Sequence, residues 1–131
     1  MDNVDPMTLP LLIVDAANVV GSVPDGWWRD RRAAAERLRD HLVPYAADGV
    51  PGLLDGPLDI VLVVEGRARG VEPVDGVRIV AAPGEGDDTI ADLARSAAGR
   101  RCVVVTADRG LRHRVGAYGA ECAGPRTVRP A

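Results

Sequence analysis

Apolar positions along this chain follow two patterns. Short unbroken runs make up the first, at residues 10–15 (PLLIVD), 59–65 (DIVLVVE), 77–82 (VRIVAA) and 101–107 (RCVVVTA). A run without alternation predicts a strand of a parallel sheet, buried on both faces. The second pattern is helical spacing. From Arg31 to Ala46 it puts Ala34, Ala35, Leu38 and Leu42 on one face, and after PGEGDD it does the same for Ile90, Leu93, Ala94 and Ala97. RGLRHRVGAYG predicts a short helix ending at Gly119, and AECAG a fifth, edge strand. GSVPDGWW, DGVPGLLDGP and GRARGVEPVDG are punctuated by Gly and Pro and predict loops, the last with little helical character. Residues 1–9 read as a leader, 10–124 as one domain and 125–131 as a tail. Strands alternating with helices place the domain in the α/β class, a sandwich around a mostly parallel sheet.

Three of the runs stop at an acid. Asp15 closes the first, with Asn18 three residues on; Glu65 closes the second; Asp108 follows the fourth. In open α/β sheets ligands bind outside the carboxyl ends of the strands, which is where these residues fall. Asp87 and Asp88, opening the helix after the third run, fall on the same edge. Carboxylates gathered in this way repel unless a cation lies among them. Mg²⁺ or Mn²⁺ suits such a set, since these ions take oxygen donors and keep several waters. Metal among carboxylates can activate water and stabilise a leaving oxygen in phosphodiester cleavage. Zinc is disfavoured, because His41 and His113 are isolated and no Cys/His spacing forms a ligand set. Simpler roles stay open beside these. Asp87, Asp88 and Asp108 are placed to cap helices, Glu65 can be an ordinary strand-end acid, and Thr106 an ordinary β-branched strand residue.

Composition narrows the picture further. The 131 residues fit a single domain, and with no Phe and 3% aromatics its core must be aliphatic. A net charge of −3 argues against wholesale attraction to nucleic acid but permits a local basic rim. All 16 basic residues are arginine, and half of them (Arg29, Arg31, Arg32, Arg67, Arg69, Arg109, Arg112, Arg114) follow the strands whose ends carry acids. Arginine engages phosphate through two parallel bonds, although a solvated helix face explains Arg114 as well. Trp27 and Trp28 can stack bases or cover the core. Cys102 and Cys122, both in predicted strands, fit reduced thiols in a cytosolic protein. The acidic opening MDNVDPMTLP is unlike a signal peptide, and no apolar run reaches bilayer length, so a cytoplasmic protein without membrane contact is expected.

Taken in order, VDAANVV, VVEG, GEGDDTIADLA and VVVTADRGLR resemble the NYN domain of the PIN-like nuclease superfamily, and within it the YacP-like branch. The resemblance spans residues 10–124, and its most specific pieces are D-x-x-N after the first strand and T-x-D-R-x-L after the fourth. It implies a three-layer sandwich with a mostly parallel, PIN-like (Rossmann-like) sheet. It further implies a ribonuclease whose acidic cluster binds Mg²⁺ or Mn²⁺. By position, Asp15, Asp87 and Asp108 would be metal ligands and Asn18 would orient a ligand or phosphate. Asp88 would be an auxiliary acid, and Glu65 a further one where YacP-like chains often have aspartate. Arg67, Arg69, Arg109 and Arg112 would contact RNA. Many relatives have Asp-Gly where this chain has Asp15-Ala16. The alternative is an RNA- or partner-binding domain with the same fold and little or no turnover. A homodimer and a further protein partner are left open. An aspartyl phosphatase would want a second Asp at position 17, which is Ala17, and a dinucleotide fold would need a glycine triplet after the first strand.

Overall fold

A computed structural model describes residues 9–129. Residues 1–8 of the expected leader and 130–131 of the expected tail lie outside the described residues. Five strands, β1 (Leu11–Asp15), β4 (Asp59–Val64), β5 (Val77–Ala81), β6 (Cys102–Val105) and β7 (Glu121–Ala123), form one sheet in the order β5-β4-β1-β6-β7, with every pairing parallel. Helices cover both faces, giving a three-layer α/β sandwich.

The absence of alternation in the strands follows from this layering. Leu12 and Val14 of β1, Ile60, Leu62 and Val64 of β4, and Val103 and Val105 of β6 point to one core. There they meet Ala34, Ala35, Leu38 and Leu42 of α2 (Arg31–Asp48) and Val19 and Val20 of α1 (Ala16–Val20). Leu11, Ile13, Val61, Val63, Cys102 and Val104 point the other way. Their partners are Ile90 and Ala94 of α3 (Gly86–Ser96) and Leu111 and Val115 of α4 (Arg109–Gly116). The residues of the three central strands, β1, β4 and β6, thus meet a buried layer on either face, while the edge strands β5 and β7 are partly exposed.

Several segments differ from expectation. DGVPGLLDGP contains a small antiparallel hairpin, β2 (Gly49–Val50) with β3 (Leu54–Asp55). Gly49, at φ +81°, ends α2 there, and a Cβ would collide with the backbone of Leu54. GRARG, expected to lack helical character, is a 3-10 turn from Gly66 to Gly70. Residues 125–129 include Val128, fully buried against the α2-side core, and Arg129, which donates to the Val20 carbonyl (3.2 Å) and pairs with Asp25. Among the described residues no helix is long and apolar enough to cross a membrane. Both cysteines are free, and burial pushes the Cys102 thiol up to about 11.

Candidate functional site

From central β1 the chain leaves toward β4 and β5, then returns across the sheet to β6 and β7. The carboxyl ends of β1 and β6 therefore flank the point where strand order reverses, and loops diverging there open a crevice. Asp15 sits at the end of β1, buried to 7% exposure. Its Oδ2 accepts the Thr106 hydroxyl (2.9 Å), and its Oδ1 accepts the backbone N–H of Asn18 (3.4 Å), capping α1. Asn18 Oδ1 in turn accepts the N–H of Ala107 (2.8 Å). Two side-chain bonds thus join the end of β1 to the end of β6. Thr106 also accepts from the Asp108 N–H (3.2 Å), and Asp108 Oδ1 accepts from Leu111 N (2.9 Å), capping α4.

Two acids approach from the β4 side. Glu65 accepts the Gly86 N–H at the start of α3, and a Cβ on Gly86 would stand 3.1 Å from that carboxylate, so a side chain there would crowd the contact. Asp87, half-buried in the first turn of α3, completes the set. Burial chiefly holds the Asp15 carboxyl above its ordinary range, and the neighbouring charges of Asp87 and Glu65 add to this, against the bonds from Thr106 and Asn18. Asp87 is likewise raised, first by burial, then by Asp108 and Glu85, while Arg114 opposes the shift. Across the crevice Asp15 thus feels Asp87 and Glu65, and Asp87 feels Asp108. Among the described residues, though, no group of three or more Asp, Glu, His or Cys stands close enough to hold a metal ion.

The other expected residues disperse. Asp88 is exposed and pairs with Arg114 (3.0 Å). Arg112 spends its Nε on the Thr106 carbonyl (2.8 Å), tying α4 to the end of β6. Arg109 is exposed in the first turn of α4. Arg67 and Arg69 are exposed on the 3-10 turn, where Arg69 Nε donates to the Gly66 carbonyl (3.3 Å). Arg67 also joins Arg29, Arg31, Arg32, Trp28 and Asp30 around a depression of about 570 Å³. Beside it lies a mostly apolar cavity of about 440 Å³, to which Trp27, Ala17, Arg31 and Glu65 contribute. Sequence reasoning missed Thr106 as the link to Asp15; its signal was a polar residue closing an otherwise apolar run. The Glu65–Gly86 contact, 21 residues apart, had no local signal.

No protein-family model and no curated protein matches the sequence. Among solved structures the fold is similar to that of Rae1 (YacP) from Bacillus subtilis, with a TM-score of 0.67 and 20% identity over 92% of this chain and 72% of that one. The chain has the Rae1 fold. At this identity the likeness establishes architecture rather than chemistry.

Proposed function

We propose that this protein is a metal-dependent ribonuclease that hydrolyses RNA phosphodiester bonds at the carboxyl edge of its sheet. A contrast between the two sheet edges carries the reading. At the amino edge, Asp59 is held by Arg78 (2.8 Å) and Arg100 (3.4 Å), and Glu121 by Arg101 (3.0 Å). At the carboxyl edge, none of the ion pairs among the described residues involves Asp15, Glu65, Asp87 or Asp108. These four acids share an edge without a direct ion pair, Arg114 acting on Asp87 only at longer range, and acids so placed are suited to a cation from solution.

The donors fit Mg²⁺ or Mn²⁺: charged oxygens in an open crevice, one or two of which suffice for an ion that keeps most of its water. Asp15, Asp87 and Asp108 would hold it, with Glu65 as an outlying acid and Asp88 as an auxiliary one. When bound, the ion would supply an activated water and charge stabilisation for the leaving oxygen. Thr106 and Asn18 keep Asp15 in place. Arg67, Arg69 and Arg109 present guanidinium groups to RNA phosphates, as does whatever donor capacity Arg112 retains. One observation favours a second reading, an RNA-binding domain with little turnover: among the described residues no three acids are pre-gathered.

Labelled single-stranded RNA incubated with the protein in Mn²⁺ or in EDTA tests the proposal. Cleavage in Mn²⁺, abolished by EDTA and by Asp15→Asn, is expected. Retention of intact RNA with no cleavage in Mn²⁺ would favour the binding domain instead.

A further inference from the structure

The 440 Å³ cavity is not used by the cleavage chemistry, yet Glu65, Glu85 and Ala16, the residue after Asp15, line it. Small residues create it: Ala16 and Ala17 of α1, Ala35 of α2 and Ala68 of the 3-10 turn, walled at one side by Trp27. The volume falls in the range of pockets that enclose small organic ligands. Arg31 lies 5.4 Å from the centre of the Trp27 ring and belongs to the walls of both this cavity and the arginine-lined depression. An apolar slot with an aromatic wall therefore adjoins a recess bordered by Arg29, Arg32 and Arg67. Few ligand classes join a flat apolar ring to an anion across so short a span. A nucleotide does.

We propose that this cavity receives one unpaired base of the RNA strand, with the adjoining phosphate held at the recess by Arg31 and Arg67. The proposal deepens the ribonuclease reading and rests on it for the identity of the strand. A base seated here would anchor the strand next to the acids and make the nucleotide beside the cut a determinant of where cutting occurs.

Binding in EDTA separates the cavity from catalysis. Trp28→Phe leaves Trp27 as the sole tryptophan, so its emission reports on the cavity wall, and phenylalanine keeps an aromatic ring against Trp27 and the recess. Titration with the four nucleoside 5′-monophosphates should give saturable quenching by at least one, and the matching nucleoside and inorganic phosphate should each bind more weakly. Ala17→Leu, which adds bulk at an exposed helix position, should weaken nucleotide binding about tenfold or more, the scale on which base stacking contributes. Arg67→Ala should reduce the monophosphate toward the nucleoside while leaving the nucleoside unchanged. A short single-stranded oligoribonucleotide should displace the monophosphate.

Absence of saturable quenching by all four monophosphates would overturn the proposal, as would full affinity in Ala17→Leu. Failure of the oligonucleotide to compete would also overturn it, by assigning the cavity to a free nucleotide. The ribonuclease reading fails by a different result, loss of Mn²⁺-dependent cleavage in the wild type, which leaves these titrations unaffected.

Discussion

Thr106 links two acids of the crevice through a single hydroxyl. It is fully buried, donates to Asp15 and accepts from the Asp108 backbone, so it sets the spacing of two acids from different strands. Thr106→Val keeps the shape and removes both bonds. Leaving Asp15 and the Asp108 N–H without that partner should cost about 1–3 kcal/mol in denaturant unfolding. Because the Thr106 bond lowers the Asp15 pKa, its loss should also move the acid limb of the pH–rate profile to higher pH. Thr106→Ser should restore the limb. Asp87 gives the complementary sign. Its folded-state pKa is raised by burial and then by Asp108, so its favourable contribution is complete below the unfolded value, near 3.8, and is lost as pH rises through the folded one. In EDTA, Asp87→Asn should therefore melt higher than wild type at pH 7, and the gain should vanish at pH 3. An equal or lower melting temperature at pH 7 would mean that no like-charge penalty is held there.

At the scale of elements, the start of α3 depends on an acid from another strand. Glu85, the residue in the capping position, makes no side-chain cap bond, and the Gly86 N–H is satisfied by Glu65 instead. Glu65→Ala should cost about 1 kcal/mol, as loss of a helix cap does, and should speed hydrogen exchange at the first amides of α3. Glu65→Gln, which keeps an acceptor oxygen, should protect them. Such contacts mark the boundary of what the sequence discloses. The central strands were legible because burial on both faces leaves an unbroken apolar run, as in LLIV and CVVV. Asp15, Asn18 and Asp108 were legible because polar residues closing such runs are conspicuous. The β2–β3 hairpin was hidden because two-residue strands have no periodicity and its glycines read as loop. Val128 was hidden for a similar reason: one buried valine among Pro, Arg and Thr carries no pattern, and its place is decided by the core it meets. Asp108 caps α4 with one oxygen while its charge acts on Asp87, which is why capping and metal readings could not be separated by residue type.

Across the whole molecule, the arrangement of charge divides the sheet into two edges with opposite demands. Arginines saturate the amino edge, where Arg78 grips Asp59 through two bonds (2.9 and 2.8 Å) and Arg100 approaches as well. At the carboxyl edge Asp88 pairs with Arg114, whereas Asp15, Glu65, Asp87 and Asp108 enter no ion pair among the described residues. That division predicts opposite responses to the same substitution. A metal bound only by the folded protein stabilises it by RT ln(1 + [L]/Kd), about 2.7 kcal/mol at a hundredfold excess over Kd. Wild type should therefore melt several degrees higher in Mn²⁺ than in EDTA. Asp59→Asn weakens a paired acid, so it should lower the melting temperature in both buffers and keep the metal-dependent increment. Asp15→Asn and Asp108→Asn should both lose the increment, and Asp108→Asn should retain most stability in EDTA, since asparagine keeps the one oxygen acceptor with which Asp108 caps α4. Melts of the four proteins in the two buffers distinguish a cation site from ordinary helix capping. If the wild type melts identically with and without millimolar Mn²⁺, the acids of the carboxyl edge are caps, and the fold stands without the metal chemistry.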